Sequence, residues 1–132
     1  MSIFENSKIR GYKFLDRCIV LPNYIITFYI EDNDSAEIML NEILDYYKAV
    51  SYEYEIKSVD KNESMIIEFS NGSKINIISK DNMISGVCSQ VMFVDSRIRE
   101  NYITEVIKPI IDQYVLGEGN AMLNPKPIYL NF

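Results

Sequence analysis

The chain has 132 residues, a length typical of one domain, and its 48% hydrophobic and 24% charged content is that of a globular protein. Its net charge of −6 argues against a general nucleic-acid surface, which needs clustered Lys and Arg facing phosphates. Histidine is missing and there are only two cysteines, which excludes Ser-His-Asp and Cys-His nucleophiles, histidine-dependent metal sites and a cysteine zinc site.

The cysteines, the length of the apolar runs and the net charge also predict the location and the partners of the protein. Cys18 and Cys88 are distant in sequence and no secretory signal precedes them, so we expect reduced, buried thiols. The longest apolar run, Tyr24 to Ile30, is too short to span a bilayer, which predicts a cytoplasmic protein with no membrane partner. The acidic balance leaves three interpretations open, namely solubility, a basic protein partner, and mimicry of nucleic acid.

The first predicted elements are a buried strand and a helix. Residues 24–30 are β-branched or aromatic without interruption, which favours a strand covered on both faces. Asp34 is then the predicted N-cap, with Glu37 at the capping-box position. The helix should run to about Val50 and bury one stripe of side chains, made of Ala36, Met39, Leu40, Ile43, Leu44, Tyr47 and Val50.

An antiparallel meander is predicted over residues 51–79. From Ser51 the pattern has a period of two, with Tyr52, Tyr54 and Ile56 alternating with charged residues. A second strand, Ser64–Phe69, and a return strand, Lys74–Ser79, flank Asn71-Gly72, a pair typical of a type I′ hairpin turn.

The remaining pattern predicts a loop, a strand, a helix and a last strand. Lys80–Gln90 is polar, and Val91–Val94 is a short apolar strand that ends in Asp95. Ser96 is positioned to cap a helix from about Arg97 to Tyr114, and Pro127–Phe132 gives a last strand. Together the elements predict a single three-layer α/β domain over residues 1–132, with helices on the faces of a mixed sheet. Its core should include Ile26, Phe28, Ile43, Phe93, Val94 and Ile107.

The segment from Ile66 to Ile111 has its parts in a specific order. A strand leads to the turn Asn71-Gly72-Ser73, a return strand, and a loop with Gly86; an apolar strand ending in Asp95 follows, and then a helix with a hydrophobic-Lys-Pro-hydrophobic step at residues 107–110. This order resembles the central part of the ATPase domain of phage large terminases, the motors that package DNA into heads. The resemblance covers residues 8 to about 112 and implies a phage-encoded protein in the host cytoplasm.

The departures from that family concern its catalytic parts. A phosphate-binding loop needs two glycines, a Lys and a Ser or Thr, and the corresponding region keeps only Arg10, Gly11 and Lys13 as candidate remnants. The resemblance leaves Asp95 as a candidate Mg²⁺ ligand, while Ser96 replaces the family's catalytic Glu. We therefore predict no catalytic residues and no required cofactor, with Mg²⁺ at Asp95 as the only metal hypothesis.

Three hypotheses about function follow. The first is an inactive terminase-ATPase-like module that acts by binding a protein partner. The second, from a different class, is a small acidic inhibitor that blocks a nucleic-acid-processing enzyme through its negative face. The third is an Mg²⁺-dependent nucleotide or nucleic-acid hydrolase built from Asp60, Glu68, Asp81 and Asp95.

Overall fold

A six-stranded mixed sheet organises the part of the chain that the computed structural model describes, which is residues 3–6, 11–61, 64–80, 89–103, 105, 109 and 128–132. The strands are β1 (Ile25–Ile30), β2 (Ile56–Lys61), β3 (Met65–Phe69), β4 (Lys74–Ser79), β5 (Val91–Asp95) and β6 (Ile128–Leu130). Their spatial order is β2-β3-β4-β1-β5-β6, antiparallel from β2 to β4 and parallel from β4 to β6. The predicted α/β class with a mixed sheet is confirmed.

Strand β1 lies at the centre of the sheet because its side chains are apolar on both faces. Ile26, Phe28 and Ile30 face one side and belong to the main core cluster. Thr27 and Tyr29 point to the other side and are also fully buried. A strand buried on both faces has no solvent-exposed polar row, which explains why residues 24–30 read as a continuous apolar run.

The helices described by the structure are α1 (Ile3–Asn6), α2 (Gly11–Val20), α3 (Asn33–Ala49) and α4 (Glu100–Tyr102). The first three contribute to the core on the Phe28 side of the sheet. There the rings of Phe28 and Phe93 stack with centroids 4.6 Å apart, and Phe4 and Phe14 meet Phe93 edge-on. Burial of the predicted core is confirmed for Ile26, Phe28, Ile43, Phe93 and Val94, whereas Ile107 lies outside the described residues.

Helix α3 begins two residues earlier than the sequence predicts. Asp32, and not Asp34, is the N-cap, because its extended backbone (φ −146°) lets its carboxylate accept the N–H of Ser35 at 2.8 Å. Asp34 falls in the first turn, and Glu37 is exposed. The buried stripe is confirmed except at its end, where Leu44 is partly buried and Val50 is exposed.

The prediction of a strand from Ser51 is wrong. Ser51 has a positive φ of 61°, and the N–H of Tyr52 still donates to Tyr47 O at 2.8 Å, so the chain leaves α3 in a tight curve. A 3-10 turn, Glu53–Glu55, follows, and β2 begins only at Ile56. The alternation of tyrosine and glutamate therefore reflects a turn in which Tyr54 is exposed to solvent.

The β3–β4 hairpin is confirmed, but its turn is not type I′. Only Gly72 has positive φ, at 88°, whereas a type I′ turn needs it at both central residues. The N–H of Gly72 donates to Phe69 O at 3.1 Å and Ser73 O accepts from the N–H of Phe69 at 3.0 Å. This is a three-residue hairpin loop with glycine at the left-handed position.

After β5 the helix begins at Glu100, three residues later than the sequence predicts. Ser96 is not a cap; its hydroxyl bonds to Asn131 Oδ1 at 2.9 Å, and α4 starts at Glu100 with Arg99 as N-cap. Half of the predicted helix lies outside the described residues, as do Asp81 and Cys88. The predicted last strand is confirmed as β6, an edge strand parallel to β5.

Candidate functional site at the carboxyl edge of the parallel strands

The topology marks one place where ligands bind in open α/β sheets. The connection after β1 leads through α3 to the hairpin strands and β4 on one side, whereas the connection after β5 leads to β6 on the other. Neighbouring strands whose connections diverge open a crevice beyond their carboxyl ends. Here that crevice lies between Glu31, which follows β1, and Asp95, which ends β5.

Asp95 is completely buried at this switch point, and both of its oxygens are occupied. Oδ2 accepts the N–H of Glu31 at 3.0 Å and Nη2 of Arg97 at 2.7 Å. Oδ1 accepts the N–H of Arg97 at 3.0 Å and its Nε at 3.1 Å. The carboxylate therefore accepts hydrogen bonds from two backbone donors and from a bidentate guanidinium. The planar guanidinium of arginine is suited to such bidentate binding of a carboxylate.

The Arg97 side chain continues across the crevice. Its Nη2 also donates to Ser35 Oγ at 2.7 Å, in the first turn of α3. Its guanidinium lies over the Phe132 ring, 4.4 Å from the centroid. The hydrogen bond to Asp95 raises the pKa of Arg97 above its already high ordinary value, so the group stays charged. Arg97 thus fills the switch-point crevice with a residue of the chain itself.

The N-terminus of α3 is occupied in a similar way. Such a terminus attracts phosphates because its first N–H groups are unpaired and its dipole is positive. Here the carboxylate of Asp32 accepts the N–H of Ser35, and this bond lowers the pKa of Asp32. Glu31 and Asp34 add negative charge beside it. These carboxylates disfavour an anion at this helix.

A cavity of about 340 Å³ lies next to Glu31, the residue whose N–H donates to Asp95. The Lys80 ammonium pairs with Glu31 Oε1 at 2.7 Å, and the Tyr102 hydroxyl donates to Lys80 O at 3.3 Å. Arg99, Asn101 and Glu105 complete the described lining. Its two acidic and two basic side chains balance in charge, so the cavity offers no concentrated field for a phosphate or a metal ion.

Two of the three candidate phosphate-loop residues lie in helix α2. Gly11 begins this helix, Lys13 is exposed on it, and Arg10 is outside the described residues. The Lys13 ammonium lies 4.9 Å from the centroid of the Phe14 ring. Phe14, Leu15 and Cys18 share the buried face of α2, and burying that face selects helix over a phosphate-cradling loop.

A Mg²⁺ ion does not fit the described surroundings of Asp95. The ion would have to displace the Arg97 guanidinium and two backbone N–H donors from a carboxylate that is completely buried. Within the described ranges no three Cys, Asp or Glu side chains lie close enough together to hold a metal. The geometry therefore speaks against the predicted metal role of Asp95.

The carboxylates of the predicted hydrolase are not brought together either. Asp60 and Glu68 lie on β2 and β3, and Asp95 lies on β5. Four strand spacings separate β2 from β5 in the sheet order, roughly 19 Å. Asp81 is outside the described residues. A shared magnesium site between Asp60 and Asp95 is incompatible with this separation.

The Asn71-Gly72-Ser73 turn serves the opposite, amino edge of the sheet. The Asn71 amide donates to Cys18 O at 2.9 Å and Leu21 O at 3.1 Å, so it caps the last carbonyls of α2. The Ser73 hydroxyl donates to Leu21 O at 2.8 Å and accepts the N–H of Tyr24 at 3.0 Å. The turn therefore fixes α2 to the start of β1, which is a structural task.

The sequence reasoning missed the Asp95–Arg97 pair. A signal was present, since an arginine two residues after a strand-end aspartate can fold back onto the same carboxylate. Cys18, in contrast, is buried as predicted, and burial raises the pKa of its thiol to about 12, so it is not a reactive nucleophile.

Comparison with protein-family models, with curated proteins and with solved structures found no significant match to this chain. Over the ranges that the structure describes, every helix is too short or too polar to cross a bilayer.

Proposed function

We propose that this chain is a catalytically inactive α/β module, phage-encoded and similar in design to a terminase ATPase core, that acts by binding another protein. The observation that supports the proposal is the state of Asp95. At the place where a hydrolase of this design would hold Mg²⁺, the carboxylate is buried and neutralised by Arg97.

Nucleotide hydrolysis needs three separate electrostatic contributions, which are a phosphate cradle, a placed metal ion and an oriented water. In this chain Lys13 is directed over the Phe14 ring, and Asp95 is bound to Arg97. Ser96 stands where the resemblance puts a carboxylate base, and its hydroxyl is engaged by Asn131. Since each position is used for packing or internal bonding, binding is the activity that the geometry favours.

The test is release of phosphate from ATP and from GTP in the presence of Mg²⁺. We expect the same background rate for the wild-type chain and for Asp95→Asn, a change of similar shape that removes the carboxylate charge. Circular dichroism of both proteins shows whether they are folded. Turnover by the wild-type chain that disappears in a folded Asp95→Asn variant would contradict the proposal.

The acidic-inhibitor hypothesis is the second candidate, and the exposed side of α3 favours it. Asp34, Glu37 and Asp45 are exposed there, with Lys48 as the basic residue of the helix. Affinity capture with identification of the recovered protein separates the two. A packaging component supports the first function, and a host nuclease or polymerase that the chain inhibits supports the second.

A further inference from the structure

A second cavity, of about 600 Å³, lies between α2 and α3. Tyr12 contributes from α2. The α3 residues that line it are spaced at i, i+3, i+4, i+7, i+8 and i+11, and are Ile38, Asn41, Glu42, Asp45, Tyr46 and Ala49. This stripe, the groove stripe, is distinct from the buried stripe that packs on the sheet, and it extends about 17 Å along the helix. Helix α3 therefore has two distinct faces, the buried stripe against the sheet and the groove stripe along the cavity.

The groove stripe has an apolar floor that is already in place. The rings of Tyr12 and Tyr46 stack with centroids 4.5 Å apart, and the Tyr46 hydroxyl donates to Asp16, which fixes the ring. Ile38 leaves 57% of its surface exposed in the same groove. Burial of a large aliphatic side chain and of ordered aromatic rings by a partner lowers the free energy of the complex.

The wall of the groove is acidic. Glu42 Oε1 accepts the N–H of Ile3 at 2.7 Å, whereas Glu42 Oε2 is shielded from water and has no hydrogen-bond donor. Burial, and to a smaller extent the nearby Glu5, raises the pKa of Glu42. Asp45, one turn further along the groove stripe, is exposed. A cation supplied here would meet the exposed carboxylate of Asp45 beside the half-buried one of Glu42.

We propose that the groove stripe binds a basic amphipathic helix of a partner protein. Its apolar residues would cover Ile38 and the tyrosine rings, and its Lys or Arg side chains would reach Glu42 and Asp45. The spacing of the groove stripe is that of a helix-in-groove contact of about three turns. An acidic wall repels phosphates, so the charge selects a basic protein segment over a nucleic acid. The inference rests on the proposed function and specifies its partner.

The experiment measures binding of a fluorescent probe peptide by anisotropy. The probe is a helical peptide of about three to four turns, with leucine on one face and lysine on the other. We expect binding that weakens about tenfold in Glu42→Gln/Asp45→Asn, in line with the loss of two ion pairs. We expect a similar loss in Ile38→Asn, whose exposed position should leave folding intact.

The matched control is Glu37→Gln/Glu53→Gln, which removes the same charge from exposed residues that do not line the groove. It should bind the probe as the wild-type chain does. Equal weakening by both double variants would overturn the inference in favour of net-charge attraction. Failure of the wild-type chain to bind the probe, or binding of the same peptide with glutamate in place of lysine, would overturn it too.

Two further results are diagnostic. If light scattering shows that the wild-type chain is a dimer and that Ile38→Asn is a monomer, the groove binds a second copy of the chain. That result would refute binding of a basic helix. Binding of a single-stranded oligonucleotide that is weakened by the same groove variants would refute it as well. Because nucleotide turnover is measured separately, a probe that fails to bind while turnover is also absent contradicts only this inference and leaves the proposed function standing.

Discussion

Replacing Arg97 with methionine removes the guanidinium that neutralises Asp95 but keeps a long side chain over Phe132. The Asp95 carboxylate would retain only its backbone donors, the N–H groups of Glu31 and Arg97 itself. The variant also loses the bond to Ser35 Oγ, which joins the end of β5 to the first turn of α3. The perturbation therefore leaves a buried negative charge without its cation.

The magnitude follows from the burial of the two groups. Breaking a buried ion pair by removal of one partner costs about 3–5 kcal/mol. The Arg97 side chain is 41% exposed while the Asp95 side chain is 0% exposed, and two backbone donors remain, so we expect a smaller loss. Our value for Arg97→Met is about 2–4 kcal/mol in the free energy of unfolding. A surface pair would cost at most about 1 kcal/mol.

Urea unfolding of the purified chain at neutral pH measures this loss, with an unchanged m-value as the check that the variant unfolds in the same way. The control is the double variant Asp95→Asn/Arg97→Met, which removes both charges. Its loss should be smaller than the sum of the single losses by about 1–3 kcal/mol, because the groups are coupled. A loss below about 1 kcal/mol for Arg97→Met would refute the reasoning, since Arg97 would then behave as a surface residue.

Three other changes probe the fold. Gly72→Val should lower the free energy of unfolding by about 1–2 kcal/mol, because of the positive φ and because a Cβ would clash with Asn23 Oδ1. Gly72→Asn tolerates this φ better and should cost less in the same urea assay. Phe93→Ala should cost about 3–5 kcal/mol, since its ring is fully buried, and a loss below 1 kcal/mol would contradict the core described above. Asp32→Ala should cost about 1 kcal/mol at neutral pH. The hydrogen bond from the Ser35 N–H lowers the pKa of Asp32 in the folded chain. The stability that Asp32 contributes is therefore fully present above its pKa in the unfolded chain and is lost as the pH falls through its pKa in the folded chain. The difference in unfolding free energy between the variant and the wild type should disappear below about pH 4.

Local pattern in the sequence was sufficient for the central strands and for helix α3. The apolar runs at 24–30 and 91–94 are short and rich in β-branched or aromatic residues, which favours strands covered on both faces. The period of α3 specifies one buried stripe, and the structure places it against the sheet. The β3–β4 hairpin was predicted because a tight turn needs a residue at positive φ, which glycine adopts without steric cost.

Local pattern misled where a tertiary contact competes with it. The alternating tyrosines at 52 and 54 look like strand residues, but the backbone of Tyr52 stays bonded to Tyr47 at the end of α3. Ser96 looks like an N-cap, but the return of β6 beside β5 gives its hydroxyl to Asn131. Gly11 and Lys13 look like parts of a phosphate loop, but the apolar face around Phe14 draws the segment into a helix.

Sequence pattern alone establishes which segments are buried and with which period, because those properties depend on residues a few positions apart. The role of each polar side chain depends instead on how the strands are placed. Asp95 could serve a metal, a helix or an arginine until β1 lies beside β5 and brings Glu31 and Ser35 to the same crevice. The partner of a buried charge is set by the order of the strands, and strand order is a long-range property that no local periodicity encodes.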